Sequence, residues 1–223
     1  LSAKEFMSYR ESPRFLVVLD ADSTLIHDEV IELLAEEAGS RELVADITAR
    51  AMNGAMDFEE SLRARVQTLR GVSSEVFERV GSRIRVTDGV TELVTSVQAS
   101  GGRVGVVSGG FHEVLDPLAE RLGLDHWRAN RLVVRAGELS GEVSGEVVDA
   151  AVKARTLREW AHAAGIPLSQ SIAVGDGAND RLMMDEAGLS AAFNAKQVVR
   201  DHADVVIAGQ DLSQVLPLLG LRG

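Results

Sequence analysis

The sequence predicts an α/β fold: a Rossmann-like parallel-sheet core, with a small helical insertion after the first strand placed to act as a cap. Three observations predict it. Short runs rich in Val, Ile and Leu show no polar alternation, as expected of strands buried on both faces of a parallel sheet. The runs end in carboxylate, hydroxyl, amide or glycine residues, and helical segments lie between them. The alternation breaks once, directly after the first run, where residues 26–86 carry helical signals and no strand signal. An insertion there lies above the strand ends, as a lid would.

The first run, Phe15-Leu16-Val17-Val18-Leu19, stops at Asp20-Ala21-Asp22-Ser23-Thr24. Ligands of open α/β sheets bind beyond the carboxyl ends of the strands. If the chain stays extended there, Asp20 and Asp22 point the same way. That suits one carboxylate as nucleophile and metal ligand and the other as general acid/base. An Asx-turn that merely ends a strand is an equal reading of this segment alone. In the helical block, Val30, Ile31, Leu33, Leu34 and Ala38 form an apolar face before Gly39. Asp57-Phe58-Glu59-Glu60 resembles a capping box opening a helix through Leu69 that ends at Gly71.

A helix over 88–100 stops at Gly101-Gly102, and the second run, Val104 to Val107, ends in Ser108-Gly109-Gly110 before a helix start at Phe111-His112-Glu113. Glycines that admit close backbone approach, followed by free helix N–H groups, suit an anion; Ser-Gly-Gly is also a common loop. Leu132-Val133-Val134 and Glu138-Leu139-Ser140 flank Ala136-Gly137 as a β-hairpin. Asp149 caps a helix to about Ala164, with Gly165 as its stop. Lys153 falls in its first turn, where the helix dipole disfavours a cation. It reads either as a surface lysine or as one serving an anionic ligand.

The third run, Ser171 to Val174, ends in Gly175-Asp176-Gly177-Ala178-Asn179-Asp180. Two carboxylates and an amide there suit a hard cation, although Asn179 or Asp180 also suits a helix N-cap. A helix over 181–187 stops at Gly188, and runs at 190–193 and 204–207 close the pattern.

Composition narrows the chemistry. The net charge is −11 and no Lys/Arg run exists, which argues against nucleic-acid binding. An anionic ligand therefore needs local groups and a metal for its positive charge. Cysteine is absent, so disulfides, thiolate metal sites and cysteine nucleophiles are excluded. The five histidines never take paired ligand spacing, and no P-loop or dinucleotide fingerprint follows the first strand. No apolar run is long enough to span a bilayer and no signal-peptide pattern opens the chain, so a cytoplasmic enzyme away from membranes is expected. Leu1 is not an initiator Met, and residues 1–13 read as an N-terminal segment left from a longer chain. What remains is carboxylate chemistry with an oxygen-liganded ion, for which Mg²⁺ fits best.

Together these residues resemble the haloacid dehalogenase superfamily of aspartate-nucleophile phosphatases, and within it the members that hydrolyse phosphoserine. Asp20-Ala21-Asp22-Ser23-Thr24 is similar to the first motif, Ser108-Gly109-Gly110 to the second, Lys153 to the third and Gly175-Asp176-Gly177-Ala178-Asn179-Asp180 to the fourth, in the right order and spacing. The resemblance implies a catalytic core over 14–25 and 87–223, with a specificity cap over 26–86. It implies that Asp20 attacks phosphorus and that Asp22 serves as acid and then base. Mg²⁺ would be held by Asp20, the Asp22 backbone carbonyl and Asp176, with Asp180 in support. Ser108, the backbone N–H groups around Gly109, and Lys153 would hold the phosphoryl oxygens, and Gly110 and Asn179 would also bind the substrate. In the cap, Glu29 would bind the substrate ammonium and Arg65 its carboxylate, while Met52 and Phe58 would cover the site. The implied reaction is L-phosphoserine to L-serine and phosphate, the last step of serine biosynthesis; a homodimer is the assembly expected. Other readings stay open: a different small phosphoester, an alcohol acceptor in place of water, a phospho-Asp receiver, or a phosphoserine sensor.

Overall fold

The computed structural model describes residues 14–221; residues 1–13, including the expected N-terminal segment, lie outside the described residues. In chain order the elements are β1 (Leu16–Leu19), α1 (Val30–Glu37), α2 (Arg41–Met52), α3 (Phe58–Gln67), α4 (Val76–Arg83), α5 (Val90–Ala99), β2 (Arg103–Phe111), α6 (His112–Leu122), β3 (His126–Arg135), β4 (Glu138–Ser144), α7 (Ala150–Ala164), β5 (Ser171–Gly175), α8 (Arg181–Glu186), β6 (Leu189–Phe193), α9 (Gln197–Arg200) and β7 (Val205–Ile207). They form an α/β structure on a seven-stranded sheet of order β4-β3-β2-β1-β5-β6-β7. Neighbouring strands are parallel except β3 and β4.

β1 lies at the switch point of this sheet. The chain pairs β2 on one side of it and β5 on the other, which opens a crevice beyond their carboxyl ends. All four β1 side chains are fully buried, and they alternate between the two faces. Val17 and Leu19 join the core that includes Val94 and Val97 of α5 and Leu115 of α6, while Leu16 and Val18 join Val152 and Leu157 of α7 and Met183 of α8. At roughly 2 kcal/mol for each fully buried Val or Leu, this short strand anchors both layers.

Four helices, α1 to α4, intervene between β1 and α5. The chain leaves and re-enters the core through a two-stranded neck, an antiparallel bridge between Ile26 and Val86. Thr87 fastens it, its hydroxyl donating to the Thr24 carbonyl at 2.7 Å. The Asp28 carboxylate takes the Arg85 backbone N–H at 2.8 Å and its guanidinium at 2.7 Å. On the far side the helical block is tied to the β3–β4 hairpin, where the Gly71 N–H donates to Leu139 O and the Leu139 N–H to Val72 O, both at 2.8 Å. The hairpin turn puts Ala136 and Gly137 at φ of 52° and 82°, the left-handed geometry of a two-residue loop.

Several local expectations need correction. The chain does not stay extended from Asp20 to Asp22. Ala21 begins a wide turn closed by the Ile26 N–H on the Ala21 carbonyl at 3.0 Å, with Ser23 left-handed at φ 59°. Ser108-Gly109-Gly110 does not follow β2 but lies within it, at a register shift between Val107 and Phe111. α3 ends at Gln67, before Leu69. Asp57 caps it by accepting the Glu60 N–H at 2.8 Å. Gly188 is not a left-handed stop, since a Cβ there would come within 2.5 Å of the Ser169 backbone; the requirement is close packing.

Candidate active site

A cavity of about 160 Å³ opens at the carboxyl ends of β1, β2 and β5, beneath α3. Its wall holds Asp20, Asp22, Glu29, Phe58, Arg65, Ser108, Gly109, Gly110, Asp176 and Asn179, bringing together ten residues picked out in the sequence. Lys153 lies beneath Asp20 rather than on the wall. Met52 closes α2, and its side chain lies outside what the structure describes.

The floor is a buried charge network. Lys153 Nζ lies 2.6 Å from Asp20 Oδ1 and 2.8 Å from Asp180 Oδ1, with its side chain 1% exposed. Asp149 positions it by capping α7, its carboxylate accepting the Val152 N–H at 2.8 Å. Asp180 is therefore more than a cap: besides Lys153 it holds the Gly177 N–H at 3.1 Å through Oδ2. Asp20 Oδ1 also accepts the Ala21 N–H at 2.7 Å, which leaves Oδ2 as the less committed oxygen. Burial, then the Asp180 charge, lifts the Asp20 pKa to about 8 despite Lys153. Burial also works against the Lys153 ammonium, but Asp180 and Asp20 outweigh it and raise its pKa.

Asp22 carries the same pressure with no ion pair among the described residues, and Lys153 relieves it only from a distance. Burial first, then Glu29 and Asp20, push its pKa well above the ordinary carboxylate range. Among the described residues its Oδ2 receives only a long 3.4 Å contact from the Val30 N–H, and its enclosed Oδ1 has no partner. Such a carboxyl is poised to carry a proton.

The carboxylates of Asp20, Asp176 and Asp180 bring oxygens within 4.8 Å of one another. This all-oxygen donor set suits a hard divalent cation. Burial, then Asp180 and Glu29, raise the Asp176 pKa to about 6, so positive charge is wanted there. Because Asp180 is engaged through both oxygens, Asp20 and Asp176 are the freer donors.

On the β2 side the cavity is lined by Ser108, whose buried hydroxyl accepts the Gly110 N–H at 2.8 Å and keeps its own proton to donate. Sequence reasoning missed the residue that fixes this segment. Asn130, buried on β3, donates to the Gly109 carbonyl and accepts the Val148 N–H, each at 2.8 Å, clamping the strand bulge to the approach of α7. The half-polar stretch His126–Arg131 gave no strand signal to reveal it. Lys196, after β6, also lines the cavity and was given no role.

The roof is α1 and α3. Phe58 sets its ring tip 3.1 Å from where a Cβ on Gly109 would lie, closing the cavity over the core. Glu29 precedes α1 and accepts the Ser23 hydroxyl at 2.7 Å. Arg65 Nε donates to the Ser61 carbonyl at 3.3 Å; burial draws its pKa down while Glu29 and Asp22 oppose.

The family model for haloacid dehalogenase-like hydrolases matches residues 17–185. The chain belongs to that family. It is 53% identical over 206 residues to a phosphoserine phosphatase of Streptomyces coelicolor, covering 92% of this chain and 50% of that one. Against a phosphoserine phosphatase of Streptococcus thermophilus it is 48% identical over 204 residues, covering 92% and 95%. The chain thus spans half the length of the first relative and nearly all of the second. A substrate-bound phosphoserine phosphatase complex superposes with a TM-score of 0.88 at 42% identity, covering 94% of this chain and all of that one. A phospho-aspartyl intermediate analogue of phosphoserine phosphatase gives 0.87, also at 42% identity, covering 93% and 99%. Among the described residues no helix is long and apolar enough to cross a membrane.

Proposed function

We propose that this chain hydrolyses phosphomonoesters through an aspartyl phosphate, with L-phosphoserine as its substrate, completing serine biosynthesis in the cytoplasm. The observation that carries the reading is the pairing of two unlike carboxylates on one cavity wall. Asp20 is anchored by Lys153 and Ala21 through one oxygen, while Asp22 is half-buried and its enclosed Oδ1 has no hydrogen-bond partner among the described residues. Asp20 Oδ2 forms the bond to phosphorus as the ester P–O bond breaks, and Asp22 gives its proton to the departing serine oxygen. Asp22 then takes a proton from the water that attacks phosphorus, which releases phosphate and restores Asp20. Ser108 and the backbone N–H groups around Gly109 donate to the phosphoryl oxygens, while the Gly110 N–H stays on the Ser108 hydroxyl.

Mg²⁺ would be held by Asp20, Asp176 and the Asp22 backbone carbonyl, supplying the charge that lets a dianion approach this acidic wall. Phosphoryl transfer asks the protein chiefly for positioning and charge stabilisation, and the clamped floor provides both. In the roof, Glu29 and Arg65 offer one anion and one planar cation, the complement of a zwitterionic amino acid. The names of the relatives support the same substrate.

The test is phosphate release from a panel of phosphoesters including L-phosphoserine, with Mg²⁺ or chelator, for the wild type and Asp20→Asn. The reading expects metal-dependent release, strongest for L-phosphoserine and lost in the variant. Release from other esters alone would overturn the substrate, and no release from any ester would overturn the chemistry.

A further inference from the structure

The cavity wall is acidic: Asp20, Asp22, Glu29 and Asp176 all face it. Two cations among the described residues share that wall, Arg65 on α3 and Lys196 at the start of α9. Lys153 does not, because its ammonium is sealed beneath Asp20 and committed to two carboxylates. Lys196 is thus the one cation on the core side of the cavity wall among the described residues, opposite the roof that carries Arg65.

The backbone is shaped to put it there. Asn194 follows β6 in the left-handed region at φ 45°, a conformation uncommon outside glycine that persists where surroundings fix it. Its N–H is held by the Ile207 carbonyl at 2.9 Å, and two residues on the Lys196 N–H donates to the Asp176 carbonyl at 3.3 Å. The loop after β6 is thereby pinned to the loop after β5, which carries Asp176. Lys196 makes no ion pair among the described residues, and its charge draws the Asp176 carboxyl downward against burial. Its side chain is exposed, so it holds up no core.

We propose that Lys196 is a phosphoryl-binding residue of this site: its ammonium pairs with the phosphoryl oxygens of the entering ester and of the phosphate that leaves. The proposal rests on the phosphatase reading but not on phosphoserine as the ester. A wall of carboxylates repels a dianion, and an unpaired lysine at the core end is the group placed to offset that repulsion. A lysine serves here as a point charge, with no demand for bidentate geometry.

The experiment compares Lys196→Ala, Lys196→Met, Lys196→Arg and Arg200→Gln in saturating Mg²⁺. Arg200 lies exposed on the same short helix and off the cavity wall, so its loss removes an equal nearby charge without a wall contact. Binding of inorganic phosphate is read by calorimetry, and KM and kcat are read for L-phosphoserine and p-nitrophenyl phosphate. The Ala and Met variants should bind inorganic phosphate about tenfold more weakly, equivalent to about 1.4 kcal/mol. They should raise KM for both esters more than they lower kcat, and the difference should shrink as salt rises. Lys196→Arg should recover most of the loss and Arg200→Gln should match the wild type. Unchanged phosphate affinity in the Ala and Met variants would sink the proposal, as would an equal loss in Arg200→Gln or a fall confined to kcat. If L-phosphoserine is not turned over but the aryl ester is, the substrate reading fails while calorimetry still decides the role of Lys196.

Discussion

Lys153 Nζ stands 2.6 Å from Asp20 Oδ1 with both side chains almost wholly buried. The pair is the hinge between fold and chemistry, since Lys153 comes from α7 and Asp20 from the end of β1. Removing the cation leaves Asp20 and Asp180 buried without compensation, a change that costs about 3–5 kcal/mol in buried pairs. Lys153→Met should therefore lower Tm by roughly 10 °C, at about 2–4 °C per kcal/mol for a chain of this size. Calorimetric melting without metal checks this, and a Tm within 2 °C of wild type would mean that the pair contributes little.

Gly175 is the second test of that network. A Cβ there would lie 2.4 Å from Asp180 Cγ, so alanine must displace the Asp180 side chain that holds Lys153. Gly175→Ala should cost about 1–3 kcal/mol of stability by overpacking. It should cost kcat about a hundredfold, because a small misplacement of catalytic groups is enough for that. Gly81 is the control: it lies inside α4 with nothing within 4 Å of its would-be Cβ. Gly81→Ala should raise stability by about 0.5–1 kcal/mol, leaving turnover unchanged. Thermal melts and turnover of both variants separate the two cases.

How much of this site the sequence discloses depends on whether a residue's neighbours are local. Asp20, Asp22, Ser108 and Asp176 follow apolar runs, so the buried-strand signal locates them. The α/β class follows from the same runs and from the helical segments between them. Lys153 was legible only as an anomaly against the helix dipole, and its burial came from partners 133 and 27 residues away in the chain. Asn130 was not legible, because its partners Gly109 and Val148 are joined to it only by the sheet. Ser23 shows the limit of periodicity: Asp20 and Asp22 do share a cavity, through a wide turn with a left-handed residue rather than through an extended strand.

The neck makes a prediction about acid stability. Asp28 accepts two kinds of N–H from Arg85, and although burial opposes it these bonds hold its carboxyl below the ordinary carboxylate range. A carboxylate with a lowered folded-state pKa stabilises fully above its unfolded value, and that stability is lost as pH falls through the folded one. Arg85 is largely exposed, so solvent screening limits the contribution to about 1 kcal/mol. Asp28→Asn should lower Tm by about 2–4 °C at pH 7. The gap should start to narrow as pH falls into the ordinary carboxylate range and close once pH has passed the lowered folded-state value. A gap that persists in acid would assign the effect to packing rather than charge.

Arg65 decides whether the roof reads the amino-acid end of the substrate. Its Nε is engaged by the Ser61 carbonyl, one turn earlier on α3, which orients the guanidinium without consuming its terminal amino groups on any bond among the described residues. Those groups can meet a carboxylate in the forked geometry a lysine lacks. Glu29 stands on the same wall, and under the proposed function the two charges would take the ammonium and carboxylate of one small zwitterion. Arg65→Ala should reduce kcat/KM for L-phosphoserine by about a hundredfold, or roughly 2.7 kcal/mol of transition-state binding. It should change p-nitrophenyl phosphate, which has no amino-acid end, by less than about threefold. Arg65→Lys should recover only a minor part of the loss, because a point charge cannot replace a bidentate fork. Equal losses on the two esters would place Arg65 in the support of the cavity as a whole and remove it from substrate choice. A loss confined to L-phosphoserine and matched by Glu29→Gln would fix the orientation of the substrate, with phosphorus on the floor and the amino acid against the roof.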